Sequence, residues 1–136
     1  MTTDLPDGLG NGFDRALGGL TYLEVTPDGG RAQLQITDTL LQPYGIVHGG
    51  VYCSAVESLA SVSAAVWLAA NGGGNVVGVN NNTDFLRAIG SGTVTAVSTP
   101  IHRGGRRQQL WLITITDADD RLVARGQVRL QNIAAE

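Results

Sequence analysis

Residues 48–74 read His48-Gly49-Gly50-Val51-Tyr52-Cys53-Ser54-Ala55-Val56-Glu57-Ser58-Leu59-Ala60-Ser61-Val62-Ser63-Ala64-Ala65-Val66-Trp67-Leu68-Ala69-Ala70-Asn71-Gly72-Gly73-Gly74. From Val51 to Ala70 there is no glycine or proline, and Asn71-Gly72-Gly73-Gly74 stops the run, so the stretch reads as one long helix. Val51, Ala55, Leu59, Val62 and Val66 recur at helical spacing. The other faces carry mainly Ala, Ser and Val, so this helix is expected to be buried nearly all round.

Upstream, Tyr22 to Thr26 reads as a strand, and Pro27-Asp28-Gly29-Gly30 as a turn. Arg31, Gln33, Gln35 and Thr37 then alternate with Ala32, Leu34 and Ile36, a period-two strand that completes a hairpin. Phe13 to Leu20 is expected to form a short helix, capped by Asn11 or Asp14 and ended by Gly18-Gly19. Asp38 to Gly50 is a loop. Downstream come four strand-like segments, about 75–86, 93–102, 107–116 and 121–132, separated by Gly-rich or Asp-rich turns. Two strands, a long apolar helix and four more strands make an α+β fold, with an antiparallel six-stranded sheet curled around one central helix, the hotdog arrangement. Residues 1–11 are expected to be a flexible tail, and residues 12–136 a single domain.

Composition bounds the function. The chain has 136 residues, 43% hydrophobic and 15% charged, which is globular and not disordered. A net charge of -3 disfavours a nucleic-acid partner. The longest strictly apolar run, Ala64 to Ala70, falls short of the ~20 residues of a membrane span. The start lacks a secretory pattern and Cys53 is the lone cysteine, so a reducing cytoplasm is expected. All nine basic residues are arginine, and six fall between Arg103 and Arg129. They read either as ordinary solvated strand faces or as an anion-binding patch.

Glu57 is the only Asp, Glu, Lys or Arg between Asp38 and Asp84. An unpaired carboxylate in apolar surroundings costs several kcal/mol, roughly, so its retention points to a general base or nucleophile. A solvent-facing stripe is the alternative. Ser54 and Ser61 fall on the same helical face as Glu57, where their hydroxyls can orient it or hold water. His48-Gly49-Gly50 precedes the helix, so free backbone N–H groups at its start are candidate oxyanion donors, and Gln42 adds a side-chain amide. The two histidines and Cys53 lack metal-ligand spacing, and no cofactor is implied. The Asn80-Asn81-Asn82 run is read as a strand end at the rim of a site or a subunit contact, or as a turn.

The segment Gln42-Pro43-Tyr44-Gly45-Ile46-Val47-His48-Gly49-Gly50-Val51, followed by Glu57 and Ser61, resembles the hotdog-fold acyl-CoA thioesterases of the PaaI type, which include 4-hydroxybenzoyl-CoA thioesterases of the glutamate kind. Asn82-Thr83-Asp84-Phe85-Leu86-Arg87-Ala88 and Pro100-Ile101-His102-Arg103-Gly104 are also similar. The resemblance implies hydrolysis of an aryl- or fatty-acyl-CoA, coenzyme A being part of the substrate. It implies Glu57 as catalytic carboxylate, the Gly49 N–H as oxyanion donor, Gln42 assisting, His48 shaping the loop, and Ser61 where family members use a threonine. Gly50 and Asn82 are expected against substrate, with Arg103, Arg106 and Arg107 on the CoA phosphates. Gly78 stands where aspartate-type members carry a serine. A homodimer with sites between chains is implied, and a pairing of dimers beyond it. A non-hydrolytic acyl-CoA-binding protein and a hotdog dehydratase or hydratase are the competing readings; Glu57 opposes the first, and the missing G-H-F-P loop the second.

Overall fold

The computed structural model describes residues 5–135. Met1–Asp4, part of the expected tail, and Glu136 lie outside the described residues; Leu9, further along that segment, packs against the core. Strands β1 (Thr21–Thr26), β2 (Gly29–Gln35), β3 (Asn75–Phe85), β4 (Thr93–His102), β5 (Gln108–Thr116) and β6 (Leu122–Ile133) form one sheet in the order β1-β2-β4-β5-β6-β3. Every neighbouring pair is antiparallel. The 22-residue helix α1 (Gly49–Ala70) lies across one face and touches all six strands. This is the hotdog fold.

Small residues line part of the contact between helix and sheet. Ala55, Ala60 and Ala64 are buried beneath it, and β6 presents Gly126 to Val56. A β-carbon on Gly126 would stand 2.7 Å from Val56 Cγ1. Leu59, at 0% exposure, enters a core that also holds the fully buried Trp111, Ile113, Ile115, Val128 and Leu130. By length and mean hydropathy, 1.4, α1 is apolar enough to cross a membrane. Here it fills the inner face of a sheet.

Two expectations need correction. The helix is not buried all round: Val62 and Val66 are only partly buried, and the face carrying Ser54, Glu57, Ser58, Ser61 and Ala65 is open in the single chain. The buried stripe runs instead through Tyr52, Ala55, Val56, Leu59, Ala60, Ser63 and Ala64. The short N-terminal helix is a 3-10 segment, Gly12–Leu17, with no side-chain cap from Asn11. Asp14 does not cap it either. Its buried carboxylate accepts from Tyr22 Oη (2.8 Å) and Ser58 Oγ (2.6 Å), pinning the segment to β1 and α1. Burial, and then the Asp14 carboxylate, push the Tyr22 hydroxyl well above its ordinary range.

Leu59→Ala should cost about 2–5 kcal/mol of stability, because its cavity opens between helix and sheet where neither element can collapse. Urea unfolding followed by tryptophan fluorescence measures this, and a loss below 1 kcal/mol, roughly, would show that α1 is not the core element described.

Candidate active site

The chemistry-bearing residues are positioned by the start of α1, by its third turn and by β3. At the helix start, His48 is the N-cap, and its Nδ1 accepts from the Gly50 N–H at 2.8 Å. An imidazole accepting at Nδ1 carries its proton on Nε2. The Val51 N–H bonds the His48 carbonyl at 2.9 Å. The Gly49 N–H has no partner among the described residues. Both glycines are required by their neighbours. A β-carbon on Gly50 would meet His48 Nδ1 at 2.9 Å, and one on Gly49 would meet the Phe85 ring at 2.5 Å.

Gln42 closes a tight loop ahead of the helix. Its N–H bonds the Ile46 carbonyl (2.8 Å), and its Oε1 accepts from the Tyr44 N–H (2.6 Å). The loop is tied down further by Val47 N–H to Ile89 O and His48 N–H to Leu40 O. Gln42, Gly49, Tyr52, Phe85 and Arg87 line one groove of about 330 Å3. The Tyr52 hydroxyl is itself buried, without a partner among the described residues. Burial, with Asp117 nearby, pushes it up to about 12.

Glu57 lies eight residues further along α1, half-buried at the boundary between the open helix face and β3. Its Oε2 accepts from Ser61 Oγ at 3.4 Å, and its Oε1 from Asn81 Nδ2 at 3.1 Å. Ser54, on the same face, bonds the Gly50 carbonyl instead, at 2.7 Å. Gly78 leaves room for the carboxylate: a β-carbon there would stand 2.3 Å from Glu57 Oε2.

The Asn80-Asn81-Asn82 run is neither a turn nor a strand end; it is the middle of β3. Asn81 faces α1, whereas Asn82 lies on the outer face of the sheet in a notch with Asp84, Arg125 and Gln127. Asn81 and Thr83 were not singled out by sequence reasoning. The only signal was three asparagines in a strand, a residue type that strands seldom favour.

Arg103 is held at the β1–β2 turn, donating to the Pro27 carbonyl and pairing with Asp28 at 2.9 Å. Arg106 lines a depression of about 790 Å3 with Trp67, Gly104 and Gly105, at the far end of α1. Neither Arg106 nor Arg107 has an ion pair among the described residues.

A six-stranded antiparallel sheet wrapped on one long apolar helix defines the class of hotdog-fold proteins. Residues 44–124 match the family model described as the thioesterase superfamily, and the chain belongs to that superfamily. It is a thioester hydrolase. It is 62% identical over 124 residues to the Mycobacterium tuberculosis protein named "Putative esterase Rv1847", covering 90% of this chain and 87% of that one. The solved structure of that esterase superposes with a TM-score of 0.87, over 91% of this chain and 98% of the other. The chain is 30% identical over 128 residues to the 1,4-dihydroxy-2-naphthoyl-CoA hydrolase of Escherichia coli, covering 94% and 92%. A thioesterase structure from Haemophilus influenzae, also 30% identical, gives a TM-score of 0.86 over 98% and 93% of the two chains.

Gly78→Ala should leave the fold intact, because the atom displaced is the tip of a flexible side chain. It should move the Glu57 carboxylate and lower thioester turnover by roughly tenfold or more. Thermal unfolding read beside kcat checks this, and unchanged kcat would show that the carboxylate does not need the space over Gly78.

Proposed function

We propose that this protein hydrolyses the thioester of an acyl-coenzyme A, with Glu57 as general base or nucleophile and the Gly49 N–H as oxyanion donor. The carrying observation is Glu57 itself, the one charged side chain on α1, half-buried and held by Ser61 and Asn81 beside β3. Thioester cleavage needs a donor for the charge that develops on the carbonyl oxygen, and such donors contribute about 10²–10³ in rate. It also needs a base or nucleophile, contributing about 10²–10⁴. His48 caps the helix start and so leaves Gly49 as the free donor; Gln42 borders the same groove. The E. coli relative, named as an acyl-CoA hydrolase, supports coenzyme A as the carrier.

Distance supports a site shared between two copies. Gly49 and Glu57 are eight residues apart on one helix, ~12 Å at 1.5 Å per residue. Both must approach one carbonyl within about 3 Å. A homodimer satisfies this when Glu57 and Ser61 of one protomer meet Gly49 and Gln42 of its partner. The β3 edge favours pairing: its outer side is open, and it exposes Val77 and Val79.

Glu57→Ala should lower kcat/KM by at least about 10² on the best substrate in a panel of aryl- and alkyl-CoA esters, with thiol release followed by a thiol reagent. Wild-type turnover by this variant would remove Glu57 from the mechanism. Mixing Glu57→Ala chains with Gly49→Val chains should regenerate activity at mixed sites, and a monomer by light scattering at micromolar concentration would defeat the shared-site reading.

Arg106 and Arg107 are the proposed phosphate contacts, because Arg103 is already engaged by Asp28. Replacing both with Ala should raise KM for acyl-CoA about tenfold or more, as loss of charge-assisted contacts discounted for exposure predicts. A truncated thioester lacking the nucleotide should show no such change. An equal loss on both substrates would reject the phosphate assignment.

A further inference from the structure

We propose that Asn81 is the positioning residue of the Glu57 carboxylate, and that a bulge in β3 exists to aim it. The inference rests on the assignment of Glu57 to the chemistry.

Asn81 Nδ2 donates twice, to Glu57 Oε1 (3.1 Å) and to the Cys53 carbonyl (3.0 Å). Its Oδ1 accepts from Thr83 Oγ1 at 2.6 Å. Both amide protons are used on acceptors and the amide oxygen meets a hydroxyl donor, so only one orientation of the side chain satisfies all three partners. Cys53 lies four residues before Glu57, so its carbonyl also receives the backbone N–H of Glu57 within the helix. Asn81 therefore holds the carboxylate and the helical turn that carries it at the same time. Ser61 reaches the second carboxylate oxygen from the helix side, and Gly78 clears the strand beneath it.

The strand is irregular at this point. Gly78 pairs with Leu130, and Asn80 with Arg129, so Val79 is an extra residue with no partner of its own. In a regular strand, positions 78 and 81 fall on opposite faces. The extra residue puts both against α1: Asn81 pairs with the buried Val128, and Thr83 with the buried Gly126. The clearance at Gly78 and the donor at Asn81 thus reach the same carboxylate only because of the bulge.

The test compares variants in thioester hydrolysis at pH 8, well above the ordinary carboxylate range. Asn81→Leu should lower kcat roughly 10- to 100-fold, the scale of a misplaced catalytic group, with KM changed less than about twofold. Asn81→Asp keeps the shape and the acceptor for Thr83 but turns an acceptor toward Glu57, so its kcat should fall below that of Asn81→Leu. A purely structural role predicts the reverse ranking, with the near-isosteric Asn81→Asp mild. Thr83→Val should lower kcat by about threefold or more through loss of the Asn81 anchor. In a Glu57→Ala background, Asn81→Leu should cause no further loss. The proposal falls if Asn81→Asp turns over like wild type, or if Asn81→Leu costs as much without Glu57 as with it. Should Glu57→Ala itself retain full activity, the base assignment fails and this proposal with it. A dead Glu57→Ala beside fully active Asn81 variants overturns this proposal alone.

Discussion

Val56 rests on the bare backbone of Gly126, and that contact fixes how near α1 can come to the sheet. Around it the helix presents small residues, Ala55, Ala60, Ser63 and Ala64, between the larger Tyr52, Val56 and Leu59. The next residue, Glu57, inherits the consequence. A carboxylate cannot enter the core without compensation, and it cannot be far from the sheet either. It comes to rest over Gly78, where β3 also lacks a side chain, and accepts hydrogen bonds from Ser61 and Asn81. One glycine on β6 brings the helix in; another on β3 gives its single charge somewhere to go.

The glycines ahead of the helix have a similar double character. Gly49 and Gly50 read in the sequence as a source of free N–H groups at a helix start. Each is also demanded from inside the chain, Gly50 by the ring that caps it and Gly49 by Phe85. Structural and chemical requirements coincide on the same two residues. Capping by His48 satisfies the Gly50 N–H and leaves that of Gly49 without a partner among the described residues. The spacing of Gly49 and Glu57 along one rigid helix then separates donor and carboxylate within a chain, which makes association part of the chemistry in the proposed mechanism.

Much of the fold was legible because its elements carry strong local signals. The run from Val51 to Ala70 lacks any breaker, the β1–β2 turn is Pro-Asp-Gly-Gly, and β6 alternates over most of its length. What was not legible depended on contacts distant in sequence. The apolar residues of α1 suggested burial on every side, because composition does not reveal that the sheet covers only part of the helix. Asp14 resembled a cap by position, and only the approach of Tyr22 and Ser58 makes it a buried anchor. At the site, Glu57 stood out by its isolation, and Ser61 by its spacing. Asn81 did not, since three identical residues carry no phase and period two cannot register an insertion.

The extra residue at Val79 divides β3 into two segments whose inward and outward sets are out of step. The irregularity is local, and its consequence concerns length. Deleting Val79 would make the strand regular: Asn80 would follow Gly78 directly and still pair with Arg129. Asn81, Thr83 and Phe85 would stay toward the helix, and Asn82 and Asp84 toward the outside, as they are now. A strand one residue shorter between Gly78 and Asn81 can therefore present the same carboxylate surroundings, whereas one shortened by two residues there would turn this whole block over.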